Sequence, residues 1–111
     1  MENVIQRAMD ALERKDSEGF AACFAEDGRL FDYCPSCNGS DNYFSYGSAG
    51  IGLFYGNRFY FERLIVSCPH VENENTASYF GSYDGPYVFA RFQIEAFDEN
   101  GLIKKAVIHP A

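Results

Sequence analysis

The chain has 111 residues, 47% hydrophobic and 23% charged, with 11 Phe, 8 Tyr and no Trp. Its formal net charge of −7 argues against nucleic acid and against an anionic membrane surface, because both require Lys and Arg to replace counterions or meet lipid headgroups. No apolar run approaches the roughly 20 residues of a membrane span. The opening Met-Glu-Asn-Val-Ile-Gln-Arg lacks the apolar centre of a secretory leader, so a cytoplasmic location with reduced cysteines is expected. Length and unbroken composition suggest one domain over residues 1–111. The aromatic content must fill a core, line a cavity, or do both.

Val4, Ile5, Ala8, Met9 and Leu12 recur at helical spacing, which predicts an amphipathic helix over about residues 3–14. Asp16 or Ser17 can cap a second, short helix with Phe20, Cys23 and Phe24 on its apolar face. Asp27-Gly28 reads as a turn, followed by a short strand from Arg29 to Tyr33 that carries Asp32 to its end. The Gly-, Ser- and Asn-rich stretch from Cys34 to Gly47 reads as a loop of the kind that carries function. Ser48 can cap a third helix with Ile51, Phe54 and Tyr55 on one side. From Phe59 the pattern becomes strand-like. Tyr60–Cys68 places Leu64, Val66 and Cys68 on one face, residues 71–75 are turn-like, and Thr76–Tyr83 is aromatic and β-prone. Asp84-Gly85 signals a hairpin into the longest strand, Tyr87–Phe97; a turn at 98–101 then leads to a last strand, Leu102–His109. Helices first and strands after favour an α+β fold with an antiparallel-dominated sheet.

In this order, "FAEDGRLFD", "GSAGIGLFY" and "FDENGLIKKAVIH" resemble the nuclear-transport-factor-two-like cone-fold superfamily, and within it SnoaL-like proteins and ketosteroid isomerase. The resemblance covers nearly the whole chain. It implies a strongly curved sheet wrapped around three N-terminal helices, an apolar cavity inside the cone, and a homodimer. It implies Asp32 as a general base at the end of the first strand and Tyr55 as a hydrogen-bond support on the third helix. The two oxyanion-hole positions of the isomerase fall on Ala8 and Gln93, so Gln93 would polarise a substrate oxygen through its amide, or Arg91 would. The ligand-binding residues then expected are Phe24, Phe54, Phe89, Arg91 and Ile108. Burial alone points Phe92, Ile94 and Ala96 inward, whereas the resemblance points Arg91, Gln93 and Glu95 inward, and a β-bulge would reverse the parity.

The residues leave several chemistries open. Asp32 in an apolar setting would have a raised pKa and could take a proton near neutrality; otherwise it is a strand-end acid bonded to nearby backbone. Cys34-Pro-Ser-Cys37 could be a redox pair or half a zinc site, but no helix follows it and no second CxxC exists. Half-buried, inert loop thiols are the simpler reading. His70 and His109 suit surface roles, and neither a Ser-His-Asp set nor a nucleotide-binding glycine motif can be assembled. The expectation is a cavity protein for a small apolar or aromatic molecule, whose enzymatic form would be an isomerase or dehydratase using Asp32, with no metal and no cofactor. A non-enzymatic ligand-binding or interaction module is the alternative.

Overall fold

The computed structural model describes residues 3–111. Helix α1, Val4–Arg14, starts at Asn3, whose side chain accepts the Gln6 amide, and ends at Lys15 in the left-handed region. Val4, Ile5, Ala8, Met9, Ala11 and Leu12 are all buried, so the helical stripe read from the sequence is the face laid on the core. Asp16 caps α2, Ser17–Ala21, by accepting the Gly19 amide at 2.9 Å. This hydrogen bond, helped by Arg14 and opposed by burial, holds the Asp16 carboxyl below its ordinary range.

Strand β1 runs from Phe24 to Asp32, longer than the sequence suggests. Asp27-Gly28 is no hairpin turn. It lies in an irregular stretch where the register against the last strand shifts between Phe24 and Arg29. A Cβ on Gly28 would stand 2.8 Å from the Ile103 carbonyl, so the close approach of two backbones explains this glycine better than a turn does. Phe24 accordingly opens a strand and does not sit on the second helix.

The stretch read as a loop holds a 3-10 turn, Pro35–Asn38, and a four-residue strand β2, Tyr43–Tyr46. Helix α3, Ser48–Tyr60, follows, with Gly47 at its cap position and no side-chain cap bond. Four further strands complete the chain: β3 Ile65–Asn73, β4 Thr76–Ser82, β5 Tyr87–Phe97 and β6 Ile103–Pro110. Cys68 does not share the buried face of Leu64 and Val66. It is exposed, with φ 54°, where the β3–β4 register slips between Ser67 and His70.

The six strands form one mixed, open sheet in the order β2-β1-β6-β5-β4-β3. Only β1 and β6 pair in parallel; the other four pairings are antiparallel. Helices α1 and α3 lie against one face, α1 on β3 and α3 on β1 and β2, while α2 packs between them. The architecture is the expected α+β cone. Its core is a single cluster that includes Phe20, Leu30, Ile51, Tyr55, Tyr79, Phe92 and Ile108.

The inward row that sets the site reads straight across the sheet. Asp32 pairs with Ile108, Ile108 with Phe92, and Phe92 with Ala77, all four fully buried. The neighbouring outward row is Phe31, Val107, Gln93 and Thr76. Burial therefore decides the parity of β5: Ala90, Phe92 and Ile94 point inward, and Arg91, Gln93 and Glu95 point outward. The bulge that could have reversed this lies between Ile94 and Ala96, past Gln93.

Candidate functional site

The parity of β1 turns Leu30 and Asp32 inward and Arg29 and Phe31 outward. Asp32 is thereby the one acid on the buried face of its strand, with 0% exposure. Its Oδ1 accepts the Cys34 amide at 3.0 Å, the local turn that a strand-end aspartate makes. Its Oδ2 is buried and has no hydrogen-bond partner. Burial pushes the carboxyl from 3.8 to about 7. The Cys34 amide, the Tyr83 hydroxyl and the Cys34 thiol oppose that rise without overcoming it. No cation takes part. Arg91, expected nearby, faces the other side of the sheet and stands 3.9 Å from Glu72.

Four tyrosines and a thiol complete the interior. Tyr55 comes from the middle of α3, and its buried hydroxyl has no partner. Tyr79 and Tyr83 are i and i+4 from β4 and its turn, and their hydroxyls lie 2.6 Å apart. Gly81 stands between them: a Cβ there would come 2.7 Å from the Tyr83 ring and 2.9 Å from the Tyr79 ring. The missing side chain is what lets the two phenols meet. Tyr43, from β2, has its ring centroid 6.2 Å from that of Tyr55 and 5.7 Å from that of Tyr83. Burial raises the phenol pKa of all four tyrosines, and the Asp32 charge adds to the rise. At neutral pH they are hydrogen-bond donors. Cys34 is wholly buried, and burial first, then the Asp32 charge, pushes its thiol up. Cys37 is exposed. The pair is thus one sealed thiol and one surface thiol, not two half-buried ones.

The loops that carry these groups are tied together. The Asn38 side chain donates to the Tyr83 carbonyl at 3.3 Å, docking the 3-10 turn on the β4–β5 turn. Outside Tyr43 and Tyr83 lies a groove of about 380 Å³, lined also by Ser40, Asp41, Asn42, Phe54, Arg58, Arg63 and Asp84. The two tyrosines therefore separate the groove from the buried acid.

Of the residues singled out in the sequence, Asp32, Tyr55, Phe24 and Ile108 are brought into one buried interior, and Phe54 is packed at its edge. Gln93, Arg91 and Phe89 are not. Gln93 Oε1 accepts from His109 Nε2 at 2.9 Å on the outer face, and Phe89 pairs there with Phe80 at 5.0 Å between centroids. They are kept out of the interior for a plain reason: each is one residue out of phase with a buried apolar neighbour. Tyr43, Tyr79, Tyr83 and Arg58 were not assigned to the site from sequence. The alternation Ala77, Tyr79, Gly81, Tyr83 carries the signal for two of them.

Among the described residues, no group of three or more His, Cys, Asp or Glu is placed to hold a metal ion. None of their helices is long and apolar enough to cross a membrane.

No family model and no curated protein matches the sequence. Solved structures do match the fold. An NTF2-like protein of unknown function from Cytophaga hutchinsonii is 11% identical, with a TM-score of 0.64 over 97% of this chain and 87% of that one. A SnoaL-like protein of unknown function from Burkholderia thailandensis is 14% identical, with a TM-score of 0.61 over 96% and 89%. The Orange Carotenoid Protein of Anabaena (Nostoc), in a structure binding canthaxanthin, is 14% identical with a TM-score of 0.68; the match covers 99% of this chain and 37% of that protein. The chain has the nuclear-transport-factor-two-like, SnoaL-like fold.

Proposed function

We propose that this protein binds a small apolar or aromatic molecule in the interior of its cone and that Asp32 moves a proton on it. One observation carries the reading. A fully buried carboxyl keeps one oxygen without a hydrogen bond, in the same interior as the Tyr55 hydroxyl, which also has none. Buried polar atoms are nearly always satisfied by protein or ordered water. Two in one interior suit a ligand with a polar atom to offer. An acid near pKa 7 is also matched to proton transfer at neutral pH.

The step would be an isomerisation through an enolate. Asp32 takes a proton from the carbon next to a carbonyl, and the electron pair moves onto the carbonyl oxygen. The Tyr55 hydroxyl donates to that oxygen. Asp32 then returns the proton at another carbon of the conjugated system. Gln93 and Arg91 have no part in it, since they lie across the sheet. That the Anabaena neighbour binds a carotenoid supports an apolar occupant for this fold.

The outer sheet face favours a second property, a homodimer. Phe31, Phe44, Tyr46 and Tyr33 form an aromatic patch, with Phe31 5.6 Å from Phe44 and 5.8 Å from Tyr46 by ring centroids. Tyr46 is 64% and Phe44 49% exposed, and contiguous aromatic surface of this kind marks interfaces. The alternative of a binding module without chemistry uses the same interior. The exposed Cys37 and Cys68, outside any disulfide, fit a cytoplasmic setting.

The test is titration with 2-naphthol, a neutral aromatic whose hydroxyl imitates an enol, combined with turnover of a β,γ-unsaturated ketone. Saturable binding that weakens in Tyr55→Phe, with turnover lost in Asp32→Asn, is the expected result. Binding without any turnover leaves the module. Absence of binding rejects the cavity.

A further inference from the structure

The groove outside Tyr43 and Tyr83 holds a cation that the interior chemistry does not use. Arg58 lies on α3 one turn beyond Phe54, and its guanidinium carbon sits 4.8 Å from the Phe54 ring centroid and 5.4 Å from that of Tyr43. Two aromatic rings thus fix the plane of the guanidinium. Its Nε is buried and has no hydrogen-bond partner, which leaves the Nη pair as the polar atoms it can offer to the groove. No acid of the described residues forms an ion pair with it, whereas Arg63, on the same groove, is paired with Asp84 at 3.2 Å. In a chain of net charge −7, this arginine is held between two rings and left without a carboxylate.

We propose that Arg58 receives the carboxylate of the ligand, so that the molecule bound by this protein is an aromatic or unsaturated carboxylic acid. The inference rests on the interior binding reading above and gives it a substrate class. A planar guanidinium matches a carboxylate through two parallel N–H···O bonds. Asp41 and Asp84 also line the groove. Asp84 is offset by Arg63, which leaves Asp41 against the single charge of Arg58, a balance that disfavours a dianionic phosphate more than a monoanion. The groove volume of about 380 Å³ suits one small ring system. Tyr43 connects the two ends of the site. Its ring packs against Arg58 on the groove side and against Tyr55 on the inner side. A ligand anchored at Arg58 would therefore direct its apolar part toward Tyr43 and Tyr83, the rings that stand between the groove and Asp32.

Three probes separate the parts of this claim. Benzoate tests the groove alone, 2-naphthol the interior alone, and 6-hydroxy-2-naphthoate both. In the native protein the hydroxynaphthoate should bind at least tenfold more tightly than 2-naphthol, and benzoate should shift the Arg58 Nε–H resonance. Arg58→Met keeps the stem between the rings. It should remove most of the tenfold preference and leave 2-naphthol within twofold, while Arg58→Lys should keep part of the preference. The Nε–H titration needs no variant and holds if Arg58→Met fails to fold. Equal affinity for hydroxynaphthoate and 2-naphthol, or a preference that survives in Arg58→Met, overturns the carboxylate site and leaves the cavity standing. Benzoate binding at Arg58 with no 2-naphthol binding overturns the cavity and keeps the anion site. No binding of any probe overturns both.

Discussion

Replacing Asp32 by Asn tests whether the interior holds an acid in the wrong charge state for its surroundings. Burial raises the carboxyl from 3.8 to about 7. The unfolded chain therefore loses this proton at lower pH than the native protein does. Below the ordinary carboxyl pKa both states are protonated and Asp32 is neutral to stability. Between about pH 4 and pH 7 the unfolded state ionises first and gains, so native stability falls as pH rises through that window. Above the folded value the full penalty is in place, roughly 4 kcal/mol at about 1.4 kcal/mol for each pH unit. Asparagine has nearly the same shape, keeps an oxygen for the Cys34 amide, and has no charge to desolvate. Its NH2 would occupy the place of the unpartnered Oδ2, and an unsatisfied buried donor costs about 1–3 kcal/mol. The expected result is an Asn variant somewhat less stable than the native protein at pH 4 and about 1–3 kcal/mol more stable at pH 8. Urea denaturation of both proteins at half-unit pH intervals measures the difference directly, and other titrating groups cancel in it. A difference that stays flat from pH 4 to 8, or an Asn variant that becomes relatively less stable as pH rises, would mean that Asp32 is ionised by unseen partners, and the general-base reading would go with it.

Gly81→Ala should separate the Tyr79 and Tyr83 rings and lower stability by about 1–3 kcal/mol; a melting temperature unchanged within error would show that the rings can give way freely. The two loop cysteines should behave differently: Cys37→Ser is expected to be neutral, whereas Cys34→Ser places a hydroxyl in a sealed site and should cost on the order of 1–3 kcal/mol in chemical denaturation. Light scattering at tens of micromolar should give a dimer mass, and Phe44→Asp on the outer face should give a monomer with unchanged circular dichroism; a native monomer at that concentration removes the interface.

The helical part of the fold was legible because its signals are local. The 3.6-residue stripe of α1, the Asp16 cap and the Gly101 turn each depend on a few neighbours, and the structure reproduces them with shifts of a residue or two. The first half of β1 and all of β2 were not legible. Glu26-Asp27-Gly28 has turn chemistry and yet is carried in the sheet because Phe24 and Arg29 on either side of it pair with Ile103 and Lys105 of β6, a long-range contact that no local propensity records. β2 contains only Tyr-Phe-Ser-Tyr between polar loops, too short to show alternation against the flanking Ser and Asn. Its role appears only when Tyr43 turns inward toward Tyr55 and Phe44 turns outward toward Phe31.

The candidate site divides along the same line. Asp32 and Tyr55 could be named because one ends a strand and the other sits on the buried stripe of a helix. Gln93 lies outside the interior because alternation outranks the family spacing. In β5 the apolar set at 90, 92 and 94 buries three side chains, while the opposite choice would bury Arg91, Gln93 and Glu95. Desolvating two charges and an amide costs far more than leaving Ala90, Phe92 and Ile94 exposed, so the bulge had to come before residue 93 to change the outcome. It comes after Ile94. The interior acid is left with phenols, a thiol and backbone for neighbours, and no cation. That is why its charge is unfavourable, and why a polar atom brought by a ligand would be welcome between Asp32 Oδ2 and the Tyr55 hydroxyl.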